Sequence, residues 1–217
     1  AILLDLIAEG NINYVGVDEL GTCTTATDAL DRHINEILKH PLVNVAAIQN
    51  AAFNIVLDPV NSTGGIAVPL LLEKLGCTCH AIHNDLSGDF AHNPEPLPEH
   101  LSDLCGTVLA RQADLGIAVD PDVDRLVFVC EDGSVFGEEY TLVAVADYVL
   151  GKRPGNTVSN LSSSRALRDI TERHGGKYHA SAVGEVNVVA QMKAVNAVIG
   201  GEGNGGVIVP DLHYGRD

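Results

Sequence analysis

Apolar positions in this chain occur in short runs that alternate with segments of helical periodicity. Such runs, bounded by Gly, Pro and Asp, are typical of buried strands, whereas spacings of three and four residues predict amphipathic helices. The predicted strands are FNIVLDPV, CTCHAIH, LGIAV, RLVFVC, NTVSNL, KYHASAV, AVIGG and GGVIVP. The predicted helices are ILLDLIAEG at the start, residues 27–39, 65–76 and 98–112, and then GEEYTLVAVADYVLG, SSRALRDITERHG and GEVNVVAQMKAV.

This alternation predicts the fold class. Strands separated by helices of ten or more residues form sheets that are covered by helices on both faces. We expect an α/β protein with two consecutive three-layer α/β domains and mixed, mainly parallel sheets. One domain is predicted at 41–135 and the other at 136–217, the latter incomplete at its C-terminal side. Before them, INYVGVDELGT predicts a short strand and a turn.

Composition narrows the possible partners. The 217 residues include 13 Lys and Arg against 29 Asp and Glu, a formal net charge of −16. This argues against nucleic acid and anionic membranes, both of which require clustered cations. A hydrophobic content of 46% argues against disorder, and no apolar run is long enough to cross a bilayer. Five scattered cysteines predict reduced thiols in a cytoplasmic protein.

The sequence Asp-Pro-Asp-Val-Asp-Arg at 120–125 stands between two predicted strands. Three carboxylates at alternating positions of a turn can point at one place, where they would repel one another unless a cation were bound. Mg²⁺ prefers such oxygen ligands. A solvated acidic turn is the plain alternative. An EF-hand loop also matches in its acidic spacing, but Arg125 replaces the required Gly and strands flank the loop, so we reject it.

The glycine-rich run at 200–206 contains G-x-G-x-x-G. A dinucleotide site requires that pattern to open a helix, whereas VIVP follows here and predicts a strand. Glu202 and Asn204 can instead hydrogen-bond sugar hydroxyls from a turn whose glycines permit close approach. A tight hairpin with exposed polar residues is the alternative.

Together these segments resemble the α-D-phosphohexomutases, the phosphoglucomutase/phosphomannomutase family. DPDVDR resembles that family's DGDGDR metal loop, and GEGNG resembles its sugar-recognition loop. Three further segments occur in the family's order and spacing: DPVNSTGG, HNPEPLPE and VGEVNV. The resemblance covers nearly the whole chain and implies that residues 1–40 are the tail of a first α/β domain with a connecting helix.

The resemblance implies an enzyme that interconverts hexose 1-phosphates and 6-phosphates through a phosphoserine and a hexose bisphosphate intermediate. Asp120, Asp122 and Asp124 would be Mg²⁺ ligands, and Arg125 would lie near the transferring phosphoryl group. Glu202 would grip sugar hydroxyls, with Asn204 replacing a common Ser.

Some positions depart from the family pattern. Glu185 stands where a basic residue is common, so its role stays open. Ser162, Ser163 and Arg165 are weaker candidates, for which a helix cap and a surface Arg are the better interpretation. The sequence Ala91-His92-Asn93-Pro94 resembles the end of the family's catalytic TASHNP loop. It matches instead the HNPEP segment of the family's second domain, which we interpret as a structural loop. The serine loop and the C-terminal phosphate-binding domain do not occur in the sequence, so we expect a fragment that is inactive alone.

Four functions remain to be distinguished. We favour phosphoglucomutase/phosphomannomutase activity, with phosphoglucosamine mutase as the close alternative. A non-catalytic module that binds Ca²⁺ or sugar phosphates, and a purely structural α/β domain, are alternatives from other classes. Neither the preferred sugar nor the oligomeric state follows from the sequence.

Overall fold

The computed structural model describes residues 2–10 and 13–216. Its strands are β1 Asn54–Asp58, β2 Thr78–Ala81, β3 Leu115–Val119, β4 Leu126–Cys130, β5 Asn156–Asn160, β6 Tyr178–Ser181, β7 Ala197–Gly201 and β8 Val207–Ile208. Its α-helices are α1 Ile2–Glu9, α2 Ala29–Lys39, α3 Val45–Ala51, α4 Gly64–Lys74, α5 Ser102–Arg111, α6 Glu138–Lys152, α7 Ala166–Arg173 and α8 Glu185–Val195. Among the described residues, no helix is both long and apolar enough to span a lipid bilayer.

The strands form two four-stranded sheets with the same topology. The orders are β2-β1-β3-β4 and β6-β5-β7-β8. In each sheet the first three strands are parallel, and the last pairs antiparallel with its neighbour. The predicted fold class, two α/β domains with mixed, mainly parallel sheets, is therefore confirmed.

Apolar side chains from both sheet faces form the cores. On one side of the first sheet, Val56 and Val129 pack with Leu104 and Val108 of α5. On the other side, Leu57 and Val119 pack with Leu72 of α4. The second sheet is covered likewise, by α6 and α7 on one face and by α8 on the other. Two helical layers around each sheet explain the apolar runs of the inner strands β1, β3 and β7.

The two sheets are joined directly. The backbone N–H of Leu126 donates to the carbonyl of Gly205 at 3.1 Å. The Thr141 hydroxyl, on α6, donates to the carbonyl of Leu126 at 2.7 Å. The first strand residue after the acidic turn is thus bonded to the glycine-rich turn of the second sheet, so the two turns are neighbours.

Two local predictions need correction. The structure contains a helix, α3, that the sequence did not predict; Asn44 caps it by accepting the N–H of Ala47 at 3.0 Å.

In residues 13–22 no strand forms, and a short 3₁₀ helix spans Val17–Glu19. Val15 and Val17 are exposed there, so the apolar positions that predicted a strand have no sheet to pair with. Ile12 lies outside the described residues. All five cysteines are free thiols.

Candidate active site

The acidic turn begins where β3 ends. Asp120 is the first residue after that strand and is only 6% exposed. Its Oδ1 accepts the backbone N–H groups of Asp124 and Arg125, each at 3.1 Å, and these bonds fold the turn back on itself. The carbonyl of Pro121 accepts the hydroxyls of Ser62 and Thr63 at 2.9 and 2.6 Å. The DPVNSTGG segment therefore holds the acidic turn in place.

The three predicted metal ligands converge. Asp120, Asp122 and Asp124 each offer a carboxylate oxygen, and these oxygens lie within 4.8 Å of one another. Asp120 is buried, Asp124 is half-buried and Asp122 is exposed. The alternation at i, i+2 and i+4, read from the sequence as a convergent set, therefore has that geometry.

Burial and mutual repulsion raise the proton affinity of this set. Burial raises the pKa of Asp120 to about 6; the backbone N–H of Arg125 opposes that shift, and the Asp124 and Asp122 carboxylates add to it. The pKa of Asp124 is raised chiefly by burial, against the lowering effect of Arg216. The protein's own cations thus compensate these carboxylates only in part. Converging oxygen ligands with incompletely neutralised charge fit a hard divalent cation such as Mg²⁺.

Arg125 lies beside the triad and forms its hydrogen bond with a carboxylate outside the triad. Its Nη1 donates to Glu95 Oε1 at 2.8 Å. Its Nε lies 3.6 Å from Asp120 Oδ2 and 3.9 Å from Asp124 Oδ1. That Nε is buried and has no hydrogen-bond partner within the described part of the chain. The guanidinium therefore places a positive charge at the edge of the carboxylate cluster.

Glu202 occupies the corresponding place in the second sheet. It is the first residue after β7 and is 5% exposed. Oε1 accepts Asn160 Nδ2 at 2.6 Å and the backbone N–H of Gly184 at 3.2 Å. Oε2 accepts Arg216 Nη1 at 3.0 Å. Protein donors thus hold both carboxylate oxygens, and the predicted contact with sugar hydroxyls stays a prediction.

Arg216 is the main residue that the sequence analysis missed. Its guanidinium forms ion pairs with Asp124 of the acidic turn and with Glu202 and Glu185 of the second domain. It is a single basic residue after LHYG, and no local pattern distinguishes it. Glu185, left without a role above, contacts Arg216 Nε at 3.2 Å. An acidic residue at that position is therefore neutralised inside the chain.

Asn204 and Arg125 line one cleft, together with Glu95 and Ser162. Asn204 Oδ1 accepts the backbone N–H of Gly206 at 3.3 Å within the turn that links β7 to β8. A strand follows the glycine run, so the rejected dinucleotide pattern has no helix to open here. Ser162 and Ser163 both donate to Asn160 Oδ1, whereas Arg165 pairs with Asp169 on the surface of α7.

The fold and the site define a class of protein: paired α/β domains with a carboxylate triad and a glycine-rich turn at their junction. Family models give that class a name. The model described as "Phosphoglucomutase/phosphomannomutase, alpha/beta/alpha domain II" matches residues 31–133. The model for domain III of the same family matches residues 137–217. The chain belongs to the phosphoglucomutase/phosphomannomutase family, the α-D-phosphohexomutases, and the resemblance stated from its motifs is confirmed.

Curated relatives agree with this assignment. A probable phosphoglucosamine mutase of Methanopyrus kandleri is 34% identical over 216 residues, covering 99% of this chain and 47% of the relative. A phosphoglucomutase/phosphomannomutase of Thermococcus kodakarensis is 40% identical over 177 residues, covering 81% of this chain and 39% of the relative. The chain thus spans less than half the length of these two proteins.

Solved structures are similar in fold. A phosphoglucomutase/phosphomannomutase family protein from Burkholderia thailandensis superposes with a TM-score of 0.79 at 26% identity, over 99% of this chain and 45% of that one. A putative phosphomannomutase from Thermus thermophilus gives a TM-score of 0.82 at 23% identity, over 91% and 46%.

Proposed function

We propose that the protein containing this chain is a Mg²⁺-dependent mutase that interconverts hexose 1-phosphate and hexose 6-phosphate, of the phosphoglucomutase/phosphomannomutase type. The observation that carries this proposal is the convergence of three carboxylates beside a half-buried Arg at the domain junction. Family membership supports the reaction class. A cytoplasmic location belongs to the same proposal.

The proposed roles follow from the contacts. Asp120, Asp122 and Asp124 would hold Mg²⁺, which neutralises charge on a transferring phosphoryl group. Arg125 lines the cleft, and its guanidinium would donate to the phosphoryl oxygens. The Glu95 contact keeps the Arg125 side chain extended toward the cleft. The phosphoryl group would be carried by a phosphoserine outside the 217 residues, through a hexose bisphosphate intermediate.

Substrate recognition would involve the second domain. Asn204 lines the cleft with Arg125, so its amide can donate to or accept from a sugar hydroxyl. Glu202 Oε1 already accepts two protein donors, so a sugar hydroxyl would donate to Oε2, which accepts only Arg216 Nη1 among the described residues. The more direct contribution of Glu202 is to hold the Gly184 and Asn160 loops together, which fixes the wall of the cleft.

Phosphoglucosamine mutase is the second candidate. A relative that matches 99% of this chain carries that name, preceded by "probable". An amino sugar would bring a cation toward a cleft lined by Glu95, Glu138 and Glu139, and these carboxylates favour such a substrate. The two activities share the acidic turn and differ only in the sugar.

The decisive experiment is an assay of the protein that contains this chain. Glucose, mannose and glucosamine 1-phosphates are each supplied with and without Mg²⁺, and formation of the 6-phosphate is measured. We expect Mg²⁺-dependent turnover of at least one of them, and their relative kcat/KM identifies the sugar. Absence of turnover of all three with Mg²⁺ present would refute the proposal. Tight Ca²⁺ binding without any effect of sugar phosphates would then favour the non-catalytic module.

A further inference from the structure

A second group of potential ligands lies outside the site described above. Asp58, His83 and His92 come from three separate segments: the end of β1, the loop after β2 and the HNPEP loop. Their ligand atoms lie within 4.8 Å of one another. His83 Nδ1 and His92 Nε2 lie 2.9 and 3.0 Å from the same oxygen, Asp58 Oδ2. Three potential ligand atoms therefore face one small space.

The opposite side of each imidazole ring faces an acceptor. His92 Nδ1 lies 2.8 Å from the carbonyl oxygen of Asn93. His83 Nε2 lies 3.4 Å from Asp103 Oδ2. A neutral imidazole carries one proton, and with a metal ion on the inner side these acceptors can take that proton on the outer nitrogen of each ring. The inner nitrogens, which lie at hydrogen-bonding distance from Asp58 Oδ2, would then present their lone pairs to the ion.

From this arrangement we propose that Asp58, His83 and His92 bind a transition-metal ion, with Zn²⁺ as the best fit. Two imidazoles and a carboxylate are ordinary zinc ligands. Metal-binding histidines commonly donate their other N–H to a carboxylate or a backbone carbonyl, as Asp103 and Asn93 permit here. This site is separate from the carboxylate triad and does not depend on the proposed mutase activity.

The dimensions and the burial are compatible with zinc. Ligand atoms around tetrahedral Zn²⁺ lie about 3.3 Å apart because the bonds are about 2.0–2.1 Å long. The two nitrogen-to-oxygen separations of 2.9 and 3.0 Å need shifts of only a few tenths of an ångström, and the two nitrogens lie within 4.8 Å of each other. The Asp58 side chain is 1% exposed, whereas those of His83 and His92 are 22% and 18% exposed. The ion would thus enter past the imidazole edges, and water could occupy its fourth position.

The site would stiffen the loop that reaches the catalytic region. His92 is three residues before Glu95, the carboxylate that holds Arg125. The backbone N–H of Glu95 donates to Asn93 Oδ1 at 3.1 Å, which shapes the intervening turn. Zinc would therefore tie the loop carrying the Arg125 partner to the end of β1.

The test is calorimetric titration with Zn²⁺ of the protein that contains this chain, in buffer with saturating Mg²⁺ to occupy the carboxylate triad. We expect one zinc site that His83→Gln and His92→Gln each weaken at least about 100-fold, because each removes a direct ligand. Asp103→Asn is expected to weaken it about 10-fold, as loss of a ligand's orienting partner does. His100→Gln, a nearby histidine outside the cluster, is the matched control.

A second measurement covers variants that fold poorly. Thermal unfolding is followed with and without Zn²⁺; the ion should raise the midpoint of the wild type and of His100→Gln, and by much less that of Asp103→Asn. Asp103 is 72% exposed, so its substitution leaves the core intact. Equal Zn²⁺ affinity in the wild type and the two histidine variants, or no binding, would overturn the proposal. Protons on both rings would then occupy the space assigned to the metal.

Discussion

The two sheets of this chain share a strand order but differ in how each neutralises its buried polar residues. Asp58 and Asn160 end the equivalent strands β1 and β5, and Asp120 and Glu202 directly follow the equivalent strands β3 and β7. All four are at most 6% exposed, with values of 1%, 2%, 6% and 5% in that order. In the second domain, an amide faces the acid and donates to it. In the first, an acid takes the place of that amide.

The two domains therefore differ in how completely the protein itself compensates the buried carboxylates. The Glu202 carboxylate is satisfied by an amide, a backbone N–H and Arg216. In the first domain, Asp120 stands with two further carboxylates, and Asp58 faces two imidazoles. Buried acidic groups are costly unless donors, a cation or a proton compensate them. The same scaffold thus supports a closed polar network in one domain and two candidate cation sites in the other.

Removing a carboxylate from the triad should have the largest effect. Asp122 is exposed and its substitution disturbs little packing, so Asp122→Asn tests metal binding cleanly. We expect weakened Mg²⁺ binding and a fall in kcat on the order of 10³-fold, since a catalytic metal contributes several kcal/mol. Calorimetry and the mutase assay measure the two effects. Asp132→Asn, the same change in an exposed turn after β4, should have full activity; equal loss in both variants would contradict the assignment.

Opening the closed network of the second domain should chiefly affect stability. Glu202→Ala leaves Arg216 and Asn160 without their buried partner, and we expect a loss of about 3–5 kcal/mol in the free energy of unfolding. Glu185→Ala removes a more exposed partner of the same Arg216, and its expected cost is below about 1 kcal/mol. Chemical denaturation monitored by circular dichroism gives both values. Similar values for the two variants would show that Glu202 is not the centre of this network.

The triad should make metal-free stability depend on pH. Folding raises the pKa of Asp120 to about 6 from an unfolded value of about 3.9, so the folded state holds that proton more tightly. Stability should therefore fall as pH rises from about 4 to about 6 without Mg²⁺, by up to about 3 kcal/mol. Asp120→Asn should flatten this part of the unfolding profile, and saturating Mg²⁺ should remove the penalty at neutral pH. A wild-type profile that rises across this window would contradict the sign.

The smallest expected effect is the loss of stability from a Gly→Ala substitution at the junction between the sheets. Gly205 has a φ of +92°, and an added Cβ would lie 2.6 Å from the Leu126 carbonyl oxygen. Gly175 has a φ of +77°, but an added Cβ there meets nothing within 4 Å. We expect Gly175→Ala to cost about 1 kcal/mol from its backbone conformation, and Gly205→Ala to cost about 1–2 kcal/mol more from the clash. Thermal unfolding compares them, and equal costs would indicate that the junction yields easily.

The predictability of the fold depended on periodicity. The buried strands LGIAV and RLVFVC were found because flanking turns and apolar runs identify them locally. The short helix α3 was missed because its seven residues show no amphipathic stripe, and no residue in it is buried. A short strand was predicted within INYVGVDELGT because a local pattern does not reveal whether a pairing partner exists. The predicted domain limits, 41–135 and 136–217, stay predictions.

Some features of the candidate site were predictable from the sequence, and others were not. The sequence by itself determined the acidic turn, since carboxylates two residues apart between strands constrain one another locally, and it determined the glycine-rich turn through residues that only a turn accommodates. Only the tertiary structure decided that Arg216 joins these turns, and that Asp58, His83 and His92 meet. Those contacts span 14 to 92 positions along the chain or join separate loops, so they depend on sheet order and packing, which no local pattern encodes.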